Sequence, residues 1–331
     1  MRPLFRPLLR TLPLVATGTL AATLVAGPAA GPAAAKPAIT LTPGGLSRGA
    51  DVSIPHLEGK TVVDGPVRVK VKAPMLRLLG KAGSAYVVGT ANSRGGHGRI
   101  FRVAADGTRT LLAKAHPFQT ILSGDGGSIV TTKYGRTSRA TISVHDTTTG
   151  AQLASRAFKG YASALDAQTD RVLVGSIDKT LLWTTSTDSV GVVSRDAGYV
   201  GDLSADVVGT FTKDPYDGGC TEVRKLSSGV LLWRSCSEQV AAFNADASRI
   251  ATIGILSDGP GPGRVDARTI DGEHLGRYQV RSGWFGSILF ESQTALLLEV
   301  NGARKAFTAR CTDAACERAS DLRPAQTLRS S

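Results

Sequence analysis

Beyond its first 35 residues the chain has almost no apolar periodicity of 3.6 residues, which excludes helical bundles and alternating strand–helix folds. Aromatic residues are scarce, at 5% of 331. No His-Glu-x-x-His helix, Walker loop or EF-hand loop occurs, so the signatures of the common zinc proteases and nucleotide-binding enzymes are missing. The one Gly-x-Ser-x-Gly spacing, Gly45 to Gly49, lies in a Pro- and Gly-rich stretch with no strand-to-helix pattern around it. The five histidines, His56, His97, His116, His145 and His274, are scattered without metal-ligand spacing. The four cysteines include no Cys-x-x-Cys pair, which argues against zinc. No metal and no cofactor is therefore expected. Acids are the minority charge, 27 against 39 Lys and Arg, for a formal net charge of +12. Such an excess suits anionic partners, though nothing in the pattern specifies a nucleic acid.

Residues 1–35 read as a secretory leader. Arg2, Arg6 and Arg10 make a positive start, Leu14 to Ala26 is apolar, and Ala33-Ala34-Ala35 offers a cleavage site. The competing reading is an uncleaved anchor. The apolar run is short for a bilayer span of about 20 residues, and Gly27, Pro28, Gly31 and Pro32 break it. Pro28 also stands where a lipobox beginning at LVAG would need its cysteine. Loss of the leader lowers the formal charge from +12 to +9. The expectation is a secreted, monomeric protein with no transmembrane span in its mature form.

What the chain does have is a repeat. An apolar stretch, a short Asp/Ser/Gly turn and a second apolar stretch recur about every forty residues, the period of a four-stranded propeller blade. The copies include ILSGDGGSIVTT at 121–132, ALDAQTDRVLVGS at 164–176, AFNADASRIATIG at 242–254 and LFESQTALLLEV at 289–300. With Tyr86, Ser128, Arg171, Val207, Arg249 and Ala295 as landmarks, the spacings are 42, 43, 36, 42 and 46. Four strands fit each unit, for example near 118–122, 127–132, 139–146 and 151–158. The fold expected is all-β, a β-propeller with six recognisable four-stranded blades over 75–322. Residues 51–74 are strand-like too, and either join the last blade or form a reduced seventh. Residues 36–50 read as a flexible lead-in, and 323–331 as a tail.

Phe243-Asn244-Ala245-Asp246-Ala247, Leu203-Ser204-Ala205-Asp206 and Leu122-Ser123-Gly124-Asp125-Gly126 resemble the inner-hairpin motif Phe-Ser-Pro-Asp-Gly of TolB-like and WD40-like propeller repeats. Proline is missing from all three, and the Trp-Asp dipeptide of WD40 blades is absent. The aspartates are expected to serve as turn formers rather than as a catalytic ring.

The cysteines read as two disulfides. Folding GCTEVRKLSSGVLLWRSCS about Ser228 sets Cys220 opposite Cys236, and Cys311 and Cys316 bracket a turn-length insert. Both bridges would clip the outer hairpin of a repeat.

In a propeller, the loop between the second and third strands (B–C) shares a face with the links between blades, and loops on a rigid scaffold carry function disproportionately. On that face the sequence places Arg94, His97, Arg99, Lys133, Tyr134, Arg136, Arg139, Lys179, Lys213 and Tyr216, with Phe118, Tyr161, Tyr199 and Trp284 in the links. Cations interleaved with aromatic rings suit an anionic or sugar-bearing ligand. The alternative is that the rings pack between blades and the charges are merely solvated. Asp214, Asp217 and Asp258 lie in the same loops and could bind Ca²⁺, although their spacing is not that of an EF-hand. The function expected is a binding or scaffold module engaging an anionic cell-envelope polymer, a glycan or a protein partner. An exported hydrolase or lyase using loop carboxylates near the channel is the alternative.

Overall fold

The computed structural model describes residues 37–135, 138–313 and 315–325. They form seven small sheets that follow one another along the chain, the arrangement of a seven-bladed β-propeller. Blade 1 spans 56–70, blade 2 75–113, blade 3 120–159, blade 4 162–194, blade 5 197–235, blade 6 238–279 and blade 7 283–318. Blades 2 to 7 each run four strands, A to D, with every strand antiparallel to the next in sequence. Blade 1 has three strands, so the reduced seventh blade is what residues 51–74 supply.

The repeat and the fold share a cause in the A–B turn. Gly83, Gly126, Thr169, Asp206 and Ala247 take φ of 60°, 71°, 53°, 60° and 53°, each just ahead of strand B. That left-handed step reverses the chain in the space of a tight hairpin; Gly and Asp tolerate it best, and Thr169 and Ala247 take it at a steric cost. Strand B follows at once: Ser128–Tyr134, Arg171–Ser176, Val207–Phe211 and Arg249–Gly254 begin on their sequence landmarks. These strands are buried on both faces by flanking blades, which is why they read as continuous β-branched and aliphatic runs.

The core lies between blades rather than within them. Phe158 of blade 3 meets Trp183 of blade 4 edge-on, ring centroids 6.0 Å apart. Val207, Val223 and Trp233 of blade 5 pack on Val240 and Ile250 of blade 6. Val265 and Tyr278 of blade 6 pack on Phe285, Leu298 and Phe307 of blade 7.

Residues 39–50, part of the stretch 36–50 expected as a flexible lead-in, run along the outside of the last two blades. Ile39–Thr40 pairs in parallel with Tyr278 and Gln279 of strand D of blade 6, and Leu41 is buried against the core of blades 6 and 7. Arg48 then bridges Arg318 of blade 7. The segment covers sheet edges that would otherwise expose unpaired backbone groups. The chain next closes the ring. Ser53 Oγ donates to Glu291 at 2.9 Å, and Val52 and Ile54 pack on Leu289 and Leu297. At the far end Arg323–Pro324 pairs with Lys305 and Ala306. The leader read at 1–35 and the tail beyond 325 lie outside the described residues.

Both disulfides form, Cys220–Cys236 and Cys311–Cys316. Thr221 pairs with Ser235 in blade 5, so the first bridge closes the next rung of the C–D hairpin. Cys311 and Cys316 are themselves register partners across the C–D hairpin of blade 7.

Candidate binding face

Topology sorts the candidate residues onto the face that carries the B–C loops and the blade-to-blade links. Asn92 folds the blade 2 loop, its Oδ1 accepting from Arg94 N at 3.0 Å and Gly96 N at 2.8 Å. His97 completes that turn at φ 54° among Gly95, Gly96 and Gly98, and Arg94, His97 and Arg99 are exposed. Phe118 is held out by a short 3-10 turn, Pro117–Gln119, capped by His116 Nδ1, which accepts from Phe118 N. It stays 61% exposed with the Arg77 guanidinium 5.3 Å from its ring centroid. Arg77 also donates to Pro117 O at 2.8 Å, and burial pushes its guanidinium pKa down.

Tyr134 ends strand B of blade 3 and Tyr161 precedes strand A of blade 4; their rings lie 6.0 Å apart at 52°. Tyr161 is 64% exposed and Tyr134 41%. Lys133 and Arg139 flank them, both exposed. Arg136 lies outside the described residues. Tyr216 sits in the 3-10 turn Pro215–Asp217, whose cap Asp214 accepts from Tyr216 N at 2.9 Å. Its hydroxyl donates to Asp258 Oδ2 of the blade 6 loop at 3.2 Å, and that carboxylate holds the phenol pKa above its usual value. Lys213, in the same loop, is exposed.

Two expected face residues are drawn inward. Tyr199 stacks on Phe211 at 4.1 Å between centroids, and its hydroxyl shares a hydrogen bond with Thr221 Oγ1 and accepts from Val240 N at 2.9 Å. Burial pushes its phenol up to about 12, and its hydrogen bonds tie blade 5 to blade 6. Trp284 is half covered by the Pro-Gly loop of blade 6: a Cβ at Gly261 would stand 3.0 Å from Trp284 Cδ1, and Phe285 N donates to Pro262 O at 2.8 Å.

The opposite face, at the A–B turns, is knitted to itself. Asp125 Oδ1 accepts from Gly127 N within its own turn, and Oδ2 accepts from Thr169 N of blade 4 at 2.8 Å. Asp166 accepts from Leu203 N of blade 5, and Asn244 Nδ2 donates to Gln293 Oε1 of blade 7 at 2.7 Å. Asp64 ties Lys81 at 2.7 Å and Tyr86 at 3.0 Å, joining blades 1 and 2. The turn aspartates are structural, as their chemistry implied. Among the side-chain carboxyls of the described residues Asp166 alone has a clearly raised pKa, by burial first and then by the charges of Asp202 and Asp125. Among the described residues no group of three His, Cys, Asp or Glu is arranged to hold a metal.

No family model matches the sequence, and no curated protein does either. Solved structures match by shape. One of two prolyl endopeptidases, studied for inter-domain dynamics in catalysis and specificity, aligns with 72% of this chain and 41% of its own, at 11% identity and TM-score 0.53. Hsv2 from Kluyvelomyces marxianus aligns over 78% and 90%, at 13% identity and TM-score 0.52. TolB from Acinetobacter baumannii aligns over 74% and 67%, at 13% identity, with a looser TM-score of 0.48. This chain thus spans less than half of the endopeptidase. At these identities the likenesses concern the fold alone. Among the described residues no helix is long and apolar enough to cross a membrane.

Two apolar residues on the same face had no signal in the sequence. Ile177 in the blade 4 loop is 72% exposed and Leu256 in the blade 6 loop 51%. Each sits in a loop too short to show any pattern. Lys159, at the end of strand D of blade 3, joins them as an exposed cation.

Proposed function

We propose that this chain is an exported β-propeller binding module whose B–C face engages an anionic polymer of the cell envelope. The asymmetry of the two faces carries the reading. On one face, Phe118, Tyr134, Tyr161 and Tyr216 stand exposed among Arg94, Arg99, Lys133 and Arg139, none of which has an ion-pair partner among the described residues. On the other, polar side chains are spent joining neighbouring turns. Export is supported by the leader-like composition of residues 1–35 and by two disulfides, which persist in oxidising compartments.

A protein partner is the second reading, favoured by the exposure of Ile177 and Leu256 beside the aromatic rings. The hydrolase alternative is not favoured: the carboxyl with a raised pKa, Asp166, belongs to the A–B end and is held by Leu203 N. The test is retention of the purified protein on heparin, on anionic wall polymer and on a neutral glycan resin. Retention on both anionic resins at low salt, with release as screening rises, is expected. Passage through all three at low salt would overturn the reading.

A further inference from the structure

The basic and aromatic residues of the B–C face are not evenly spread. At the boundary of blades 3 and 4 two shallow hollows, of about 240 and 480 Å³, adjoin at Lys159. The first has an apolar floor of Phe158 and Leu181 under a rim of Arg156, Lys159 and Lys179. The second is bounded by Ser138, Arg139, Lys159 and Gly160. Strand pairing sets the spacing: Arg139 faces Lys159 across strands C and D of blade 3, and Tyr134 faces Ala140, the residue after Arg139, across strands B and C. Tyr161 follows Gly160 directly in the chain, and its ring makes a tilted pair with that of Tyr134 beside the hollows.

The charges are unequally committed. Arg156 is paired with Asp188 at 2.6 Å and Lys179 with Asp178 at 3.5 Å. Arg139 and Lys159 have no ion-pair partner among the described residues, and both are exposed. Two free cations lining an open trough, with two exposed aromatic rings close by in the chain, offer a mixed surface. The rings offer flat apolar faces to the C–H faces of a sugar, and the cations offer hydrogen-bonded charge pairing to a carboxylate or phosphate.

Resting on the binding reading above, we infer that the trough at the blade 3–4 boundary is a subsite for a linear anionic glycan. Its sugar rings lie on Tyr134 and Tyr161, and its acidic groups lie on Arg139 and Lys159. The hollows are open and shallow, which suits a segment of a polymer better than a small enclosed ligand. A single-stranded nucleic acid would use the same residue types. Two disulfides favour an oxidising compartment, and with it the glycan.

The test is binding, by calorimetry or fluorescence anisotropy, to five probes: a galacturonate oligomer, a sugar-phosphate polymer, maltohexaose, inorganic polyphosphate and oligothymidylate. Two double variants are compared with the unaltered protein, Tyr134→Ala with Tyr161→Ala, and Arg139→Ala with Lys159→Ala. All four side chains are on the surface, and circular dichroism checks that the fold is kept. Tighter binding of the galacturonate or the sugar phosphate than of the other three is expected, and whichever is tighter identifies the acidic group. Each double variant should weaken that binding about tenfold or more. Polyphosphate, having charge without rings, should respond only to loss of Arg139 and Lys159. An anionic glycan that binds equally well to both variants would overturn the subsite while leaving the wider face intact. Preference for oligothymidylate would overturn the glycan assignment. Failure of every probe to bind would remove the subsite and the binding reading together.

Discussion

Arg310→Met should lower the unfolding free energy by about 3–5 kcal/mol, the cost of stranding a buried charge by removing its partner. Arg310 is where the ring closes. Its guanidinium bonds Glu291 Oε1 at 2.9 Å and Glu317 Oε1 at 2.7 Å, and it donates to the carbonyls of Ala50 at 3.0 Å and Asp51 at 2.8 Å. Glu291, with a side chain 5% exposed, also accepts from Ser53. Methionine fills the aliphatic volume but leaves Glu291 and two carbonyls without their donor. Denaturant unfolding followed by tryptophan fluorescence reads the loss directly. The double variant Arg310→Met with Glu291→Gln should recover part of it, since the stranded charge is then gone. A loss below about 1 kcal/mol, the range of exposed pairs, would mean that this network does not hold blade 7 to the N-terminal segment.

Asp266→Asn should be comparably damaging, by about 3–5 kcal/mol. Asp266 is 1% exposed on strand C of blade 6. It accepts from Arg277 Nε at 2.6 Å and His274 Nε2 at 2.9 Å, with Arg264 Nε 3.0 Å away. Nearby, Glu238 takes a two-pronged contact from Arg268, both bonds 2.8 Å, and a hydrogen bond from Thr252 at 2.7 Å. Burial pushes both carboxyls up, but the arginine contacts and the other donors outweigh it, and both end below the usual carboxylate range. Glu291 is lowered in the same way. A carboxyl whose folded pKa is depressed adds stability above its unfolded value and loses it as pH falls through the folded one. The melting temperature should therefore be nearly flat from neutrality to about pH 5, and fall steeply below about pH 4. Asp266→Asn should start lower and fall less steeply. An acid limb identical in the variant and the unaltered protein would show that Asp266 is not part of it.

The architecture was legible because blades 2 to 6 repeat one local event, a left-handed turn between two aliphatic strands, and local events leave local patterns. Strands B of blades 3 to 6 begin on the residues that marked the period. Blade 1 was legible only as strand-like, since it has three short strands where the repeat has four. The N-terminal run was not legible, because Ile39-Thr40-Leu41 is too short to show alternation, and its strand exists only where Tyr278 and Gln279 offer an edge. Among the site residues, Phe118 and Tyr161 stand ahead of strand A and remain outside, whereas Tyr199 is the third residue of Ala197–Asp202 and is carried into the blade interface. Residue type looked alike for all three, and Tyr199 stood only a little closer to its landmark, eight residues against ten. Relative to the start of strand A it lies three or four residues deeper, which needs the strand bounds to see. The pairing of Arg139 with Lys159 needed the register of strands C and D, which composition does not carry.

Moving the same charge change from one face of the propeller to the other tests which face binds. One variant carries Arg99→Glu and Arg139→Glu, beside the B–C loops; the other carries Arg109→Glu and Arg171→Glu, exposed residues beside the turns of the opposite face. Net charge falls equally in both, so a response to overall charge alone would be the same. Retention on an anionic glycan resin at low salt, read as the salt concentration that releases each protein, separates the cases. The account predicts early release of the B–C variant and near-normal release of the other. Equal losses, or a larger loss from Arg109→Glu with Arg171→Glu, would contradict it.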